Sequence, residues 1–131
     1  MFSDTTKAYI ELTALNGNYY VVVRHRNHLA IMSAARVVFA TDSTGYDFTT
    51  AQIQAYGTNP MVLVTTGIYA MRVGDTDASG VIDVVDRTNT WNNRNTSGIF
   101  TGNDTDLSGV VDVVDRTNTW NNRNQQTQVP N

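Results

Sequence analysis

The sequence predicts a mainly β protein: a small antiparallel β-sandwich or barrel over residues 1–73, a duplicated loop-and-helix segment over 74–124, and a tail over 125–131. Three observations carry that expectation. Short runs of β-branched and aromatic residues, separated by Gly, Asn and Ser, fill the first half and leave no room for long helices. Beyond them one pattern occurs twice at a 29-residue offset, so that residues 83–95 and 112–124 are letter-for-letter identical. Eight of the chain's twelve carboxylates lie within these two copies.

The β half reads as five or six short strands. Residues 8–15 lead to Asn16-Gly17, the strongest two-residue turn signal, and residues 18–24 return as the second arm of a hairpin. Residues 36–40 form a third strand before a turn at 41–45, and residues 46–49 a short fourth. Residues 50–56 suit a single helical turn or a loop, and residues 61–64 and 68–73 make another hairpin across Thr65-Thr66-Gly67.

Two copies are too few for a solenoid, so they are read as a pair. Each has oxygen-bearing side chains at positions 1, 3, 5, 9 and 12 of a twelve-residue loop, with glycine at position 6. That is a calcium-loop pattern, in which the position 7 backbone carbonyl also binds and glycine permits the sharp turn. The first set is Asp75, Asp77, Ser79, Val81 (carbonyl), Asp83 and Asp86; the second is Asp104, Asp106, Ser108, Val110 (carbonyl), Asp112 and Asp115. The apolar position 8 (Ile82, Val111) is expected to let the two loops meet as a short strand pair.

Electrostatics argues against a merely solvated acidic turn. Carboxylates about 5 Å apart repel by roughly 3 kcal/mol per pair at an effective dielectric near 20. Over one loop that rivals the roughly 5–15 kcal/mol stability of a whole domain. Two Ca2+ ions are therefore expected. The chain has no Cys and no His near the loops, which disfavours zinc and copper. Magnesium demands a stricter octahedron and keeps its waters.

The helices expected after the loops are rich in Thr and Asn, each costing up to roughly 0.7 kcal/mol relative to Ala. Val84, Thr88 and Trp91 recur at i, i+4 and i+7, as do Val113, Thr117 and Trp120, and each set is expected to form a buried face. Such weak helices need metal and packing to persist.

The two copies resemble the duplicated calcium-loop-plus-helix segments of dockerin modules, bacterial extracellular modules that dock onto cohesins. An ordinary EF-hand needs a helix entering each loop, whereas residues 68–73 are strand-like and residues 96–102 loop-like. Asp86 and Asp115 stand where the EF-hand has its closing Glu, as in dockerins. Ser79 and Ser108 replace the usual Asp or Asn, implying a weaker or water-mediated contact. The positions that read cohesin in dockerins, often Ser-Thr, are here Val84-Val85 and Val113-Val114. Residues 19–33 are similar to β-rich segments beside calcium-repeat tails in large secreted proteins of Bacteroidetes-type bacteria. Relative to such segments, strands before Lys7 are missing, which implies an open sheet edge that invites a strand from another chain. Residues 2–6 and 125–129 are candidate donors.

Composition narrows the remaining classes. Charged residues are 16% of the chain, the formal net charge is −3, and two calcium ions would bring it to +1. With one lysine and no basic run in the sequence, nucleic acid is not expected. No apolar run approaches a membrane span, and Met1-Phe2-Ser3-Asp4 has no leader-like character. Millimolar calcium outside cells suits loops with a weak position 5 ligand, so an extracellular or bacterial cell-surface setting is expected. His25 and His28 read as polar residues of an inter-strand loop bonded to backbone, Glu11 and Asp47 as isolated acids with no catalytic partner, and the tyrosines and tryptophans mainly as packing. Asn95 and Asn103 begin glycosylation-type triplets, a frequent chance match in so Asn/Thr-rich a chain.

The expected function is therefore non-catalytic: an extracellular calcium-binding structural module acting through protein–protein contacts, as a self-assembling subunit of a surface fibre or layer. The partner is then another copy or a separate extracellular protein, without membrane insertion. The alternatives are a dockerin-like anchor for a cohesin-like partner and a carbohydrate-binding appendage of a secreted enzyme.

Overall fold

The computed structural model describes residues 16–40, 44–98 and 101–130. It is strand-rich and antiparallel, with two helices late in the chain: β1 Gly17–Tyr19, β2 Val22–His25, β3 His28–Met32, β4 Val37–Phe39, β5 Met61–Thr65, β6 Ile68–Met71, α1 Val84–Asn92 and α2 Val113–Asn121. Among the described residues the strands pair as three antiparallel ribbons, β1–β4, β2–β3 and β5–β6. That pairing stops short of the closed sandwich or barrel that the strand spacing predicts. A bridge between His28 and Val73 and the hydrogen bond from Leu29 N–H to the Arg72 carbonyl (2.9 Å) join the second ribbon to the third.

The β core is small. Ile31, Ala55 and Met61 are buried, with Val23, Phe48, Tyr69 and Met71 packed against them. Burying one side chain of the size of Ile31 or Met61 contributes roughly 1.5–3 kcal/mol. Gln52, on the 3-10 turn Gln52–Gln54, reinforces Met61 from outside the ribbon. Its side chain donates to the Met61 carbonyl (2.8 Å) and accepts from the Met61 N–H (3.1 Å).

Three strand expectations are revised. Asn16-Gly17 is no type I′ hairpin turn: Gly17 lacks the positive φ that such a turn requires and opens β1 opposite Phe39. Long-range pairing with β4 has overridden the local signal. The expected strand 18–24 is split, because Val21 leaves the ribbons to exchange bonds with Ser33: its N–H donates to Ser33 Oγ (3.0 Å) and its carbonyl accepts the Ser33 N–H (2.8 Å). Residues 46–49 hold a local turn instead of a strand, with the Thr49 N–H and hydroxyl both donating to Asp47 Oδ1 at 2.7 Å. The strand missed altogether is β3, whose apolar Leu29, Ile31 and Met32 are buried. The expected strand 8–15, most of the turn at 41–45 and the proposed donor strand 2–6 lie outside the described residues.

His25 and His28 face each other across the β2–β3 hairpin and bond mainly to each other and to Asn27, correcting the expectation of backbone partners. Their Nδ1 atoms are 2.8 Å apart, and His28 Nδ1 is also 2.8 Å from Asn27 Oδ1. Because Asn27 Oδ1 only accepts, His28 carries its proton on Nδ1. Burial, the neighbouring His25 and then Arg26 lower the His28 pKa from 6.5 to about 4. A lowered histidine pKa means that the unfolded chain takes up the proton first, so stability is present above pH 6.5 and declines as pH falls towards 4. Such a shift corresponds to roughly 3 kcal/mol, and screening at this partly exposed ring brings the expected loss nearer about 1 kcal/mol. Urea midpoints across that window should fall more steeply for the wild type than for His28→Gln.

Candidate metal centre

Each loop is shaped by the residues its pattern repeats. Backbone φ is positive at Ala78 (58°) and Gly80 (85°), and again at Leu107 (61°) and Gly109 (86°). These turns bend the chain around the first aspartate, whose side chain accepts the glycine N–H: Gly80 to Asp75 Oδ2 and Gly109 to Asp104 Oδ2, both 3.0 Å. Each helix then starts with a capping box. Asp83 accepts from Val85 N–H (2.7 Å) while Asp86 Oδ2 accepts from Asp83 N–H (2.8 Å), and Asp112 and Asp115 repeat the arrangement.

The result is two aspartate clusters, Asp75/Asp77/Asp86 and Asp104/Asp106/Asp115, in each of which one carboxylate oxygen from every aspartate lies within 4.8 Å of the others. Asp75, Asp86, Asp104 and Asp115 are buried; Asp77 and Asp106 are exposed. The groups bonded to these acids are neutral. Asp86 Oδ1 accepts from Thr76 N–H (2.7 Å), Thr76 Oγ1 (3.2 Å) and Asp77 N–H (3.4 Å), and Asp115 Oδ1 is held likewise by Thr105 and Asp106. Asp75 Oδ1 is buried with no hydrogen-bond partner. Burial pushes the Asp75 pKa up; the Asp86 and Asp77 charges push the same way, and N–H donors from Gly80 and Ser79 pull against them. Each cluster has the composition and spacing suited to a metal ion, and the first adds the orphaned oxygen of Asp75.

The other predicted ligands divide. Ser79 Oγ donates to the Val81 carbonyl at 3.0 Å and Ser108 Oγ to the Val110 carbonyl at 3.0 Å, so positions 5 and 7 lie side by side in each loop. Asp83 and Asp112 stay outside the clusters, exposed at the helix N-caps. Family models, curated proteins and solved structures gave no match. The site therefore rests on its own geometry.

Two expectations about the repeats are corrected. The loops do not pair through position 8. Ile82 instead exchanges main-chain bonds with Asn124 and Gln125, and Val111 with Asn95 and Thr96. Each loop is thus closed by the segment that follows the other loop's helix, because the chain reverses through positive φ at Asn95 (68°) and Asn124 (64°). The segment proposed for donation to another chain, 125–129, is already engaged within its own.

The second correction concerns the helices. Their buried residues are Asp86 and Thr90 in α1 and Asp115 and Thr119 in α2. Val84 and Val113 are 61% and 63% exposed, Trp91 and Trp120 are 46% and 36% exposed, and Thr88 and Thr117 also face solvent. The acid that serves the loop must point inward, and that requirement outweighs hydrophobicity in setting the helix rotation. The indoles are covered by guanidinium groups instead: Arg94 and Arg116 over Trp91 at 4.5 and 4.9 Å, Arg123 and Arg87 over Trp120 at 4.7 and 4.4 Å. Each tryptophan takes one arginine from its own repeat and one from the other, so the two helices pack as a near-twofold pair. Four arginines dispersed in the sequence thereby meet on one face.

Sequence reasoning missed Thr76 and Thr105, whose N–H and hydroxyl groups grip the closing aspartates; their recurrence at position 2 of both loops was the available signal. It also missed Asn27, a fully buried hairpin residue whose Nδ2 donates to the Asp104 carbonyl at 2.7 Å. Nothing local marks a contact between residues so far apart.

Proposed function

We propose that this chain is a non-catalytic, extracellular structural module stabilised by two Ca2+ ions, working through protein–protein contacts as a repeating subunit of a bacterial surface fibre or layer. The observation that carries the metal reading is the orphaned, buried Asp75 Oδ1 within one of two matching aspartate triads. In this reading Asp75, Asp77 and Asp86 hold the first ion with help from Ser79 and the Val81 carbonyl. Asp104, Asp106, Asp115, Ser108 and the Val110 carbonyl hold the second, and Asp83 and Asp112 contribute through water or act only as helix caps. The weak position 5 ligand suits millimolar calcium outside cells. Contact between copies is supported by the exposed apolar tip of the β5–β6 ribbon, Leu63, Val64 and Ile68, in a stretch without charged residues from Phe48 to Met71.

A second reading, a dockerin-like anchor for a separate partner, is favoured by the exposed Val84-Val85 and Val113-Val114 on the paired helices. Electron microscopy and sizing of the chain in millimolar calcium, with and without chelator, separate the two. Polymers that disperse on chelation are the expected result. A monodisperse monomer at every concentration in calcium would sink the assembly reading and leave the anchor.

A further inference from the structure

We infer that the C-terminal segment 124–127 is a working wall of the first metal site, positioning the Val81 carbonyl as a ligand and linking that site to the β unit. The inference rests on the metal reading above. Main-chain bonds run from Asn124 N–H to the Ile82 carbonyl, from Ile82 N–H to the Gln125 carbonyl and from Thr127 N–H to the Gly80 carbonyl, all at 2.8 Å, with a bridge between Val81 and Gln126. Successive peptide groups of an extended chain point to opposite sides. Holding Gly80 and Ile82 from one edge therefore turns the intervening Val81 carbonyl to the other edge, where it meets the Ser79 hydroxyl at 3.0 Å. Ser79 is the position 5 candidate, so the segment sets two candidate ligands through one short ladder.

The same segment reaches the β unit. Thr127 Oγ1 donates to the Ala30 carbonyl at 2.9 Å. Gly57 has φ of +104°, and a Cβ there would lie 2.5 Å from Gln128 Cβ, so only glycine lets the segment approach so closely. The second loop is walled by residues 95–98 in the corresponding way, with Asn95 N–H on the Val111 carbonyl (2.8 Å) and Gly98 N–H on the Gly109 carbonyl (3.1 Å). Calcium in the first site and attachment of the C-terminal segment are therefore one coupled equilibrium, and the second site is independent of that segment.

The test is a calcium titration of the full chain followed by NMR. The Gly80 and Gly109 amides report their own sites, because each donates to its loop's first aspartate. Thr127→Pro removes the N–H that holds Gly80; Thr127→Val keeps it and loses only the hydroxyl's own bonds, to the Ala30 carbonyl and from the Val129 N–H. The expected result for Thr127→Pro is a first-site affinity at least ~10-fold weaker with the second site little changed; Thr127→Val should leave both sites near wild type. In the wild type, exchange protection of the Ile82 amide should rise with occupancy of the Gly80 site, a readout that does not depend on any variant folding. A first-site affinity unchanged from wild type in Thr127→Pro, equal losses at both sites, or Ile82 protection that ignores calcium would overturn the inference while leaving the metal reading intact. A wild-type chain whose two glycines ignore calcium would overturn the metal reading itself and this inference with it.

Discussion

Chelation is expected to melt the paired-helix half of the chain while the β ribbons retain more of their structure. Without a cation, each triad, two of its three aspartates buried, places one oxygen from each carboxylate within 4.8 Å of the others, repelling by about 3 kcal/mol per pair at an effective dielectric near 20. The helices that would have to resist this are nine residues each, built largely of Thr and Asn. At free calcium about 100-fold above the dissociation constant, each ion contributes roughly 2.7 kcal/mol, and two contribute about 5 kcal/mol. For a chain of this size that translates to a drop in Tm of about 15–25 °C in chelator. Circular dichroism at 222 nm with and without chelator is the measurement. A helical signal and a Tm that do not respond to chelation would remove the metal from the account of stability.

Asp86→Ala and Asp115→Ala are expected to be the most damaging single substitutions in the repeats. Asp86 takes part in the metal triad, accepts N–H groups from Thr76, Asp77 and Asp83, and closes the capping box of α1. Alanine would leave those donors without their acceptor in a buried place, at about 1–3 kcal/mol for each one that water cannot reach. It would also remove a charged ligand. A loss of about 3–5 kcal/mol is expected, together with loss of calcium at the first site. Asp83→Ala, at the exposed N-cap, should cost only about 1 kcal/mol. Chemical denaturation in calcium and calorimetric titration compare the two directly. If Asp83→Ala proved as costly as Asp86→Ala, position 9 would be a direct ligand and the roles assigned to the two residues would be wrong.

Spacing alone made the two loops, their glycine turns and their closing aspartates readable, because a metal loop is a local object: its ligands lie within twelve residues and its turns depend on the backbone freedom of one or two of them. The hairpin over β5 and β6 was readable for the same reason. Where partners are distant, local signals misled. Asn16-Gly17 has the chemistry of a turn, yet pairing with β4 draws Gly17 into a strand. Val84, Thr88 and Trp91 have the spacing of a buried stripe, yet the inward-facing Asp86 rotates them towards solvent, where Arg94 and Arg116 cover the indole of Trp91.

What the sequence determined by itself was the existence, number and ligand chemistry of the candidate metal loops, together with the antiparallel β character of the first half. Only the tertiary structure decided which edge closes each loop, which helix face is buried, and how Asn27 ties a β hairpin to the second loop. The reason is physical: backbone conformation and ligand spacing are properties of a few neighbouring residues, whereas strand partners and helix rotation are chosen by competition among groups that meet only once the chain has folded.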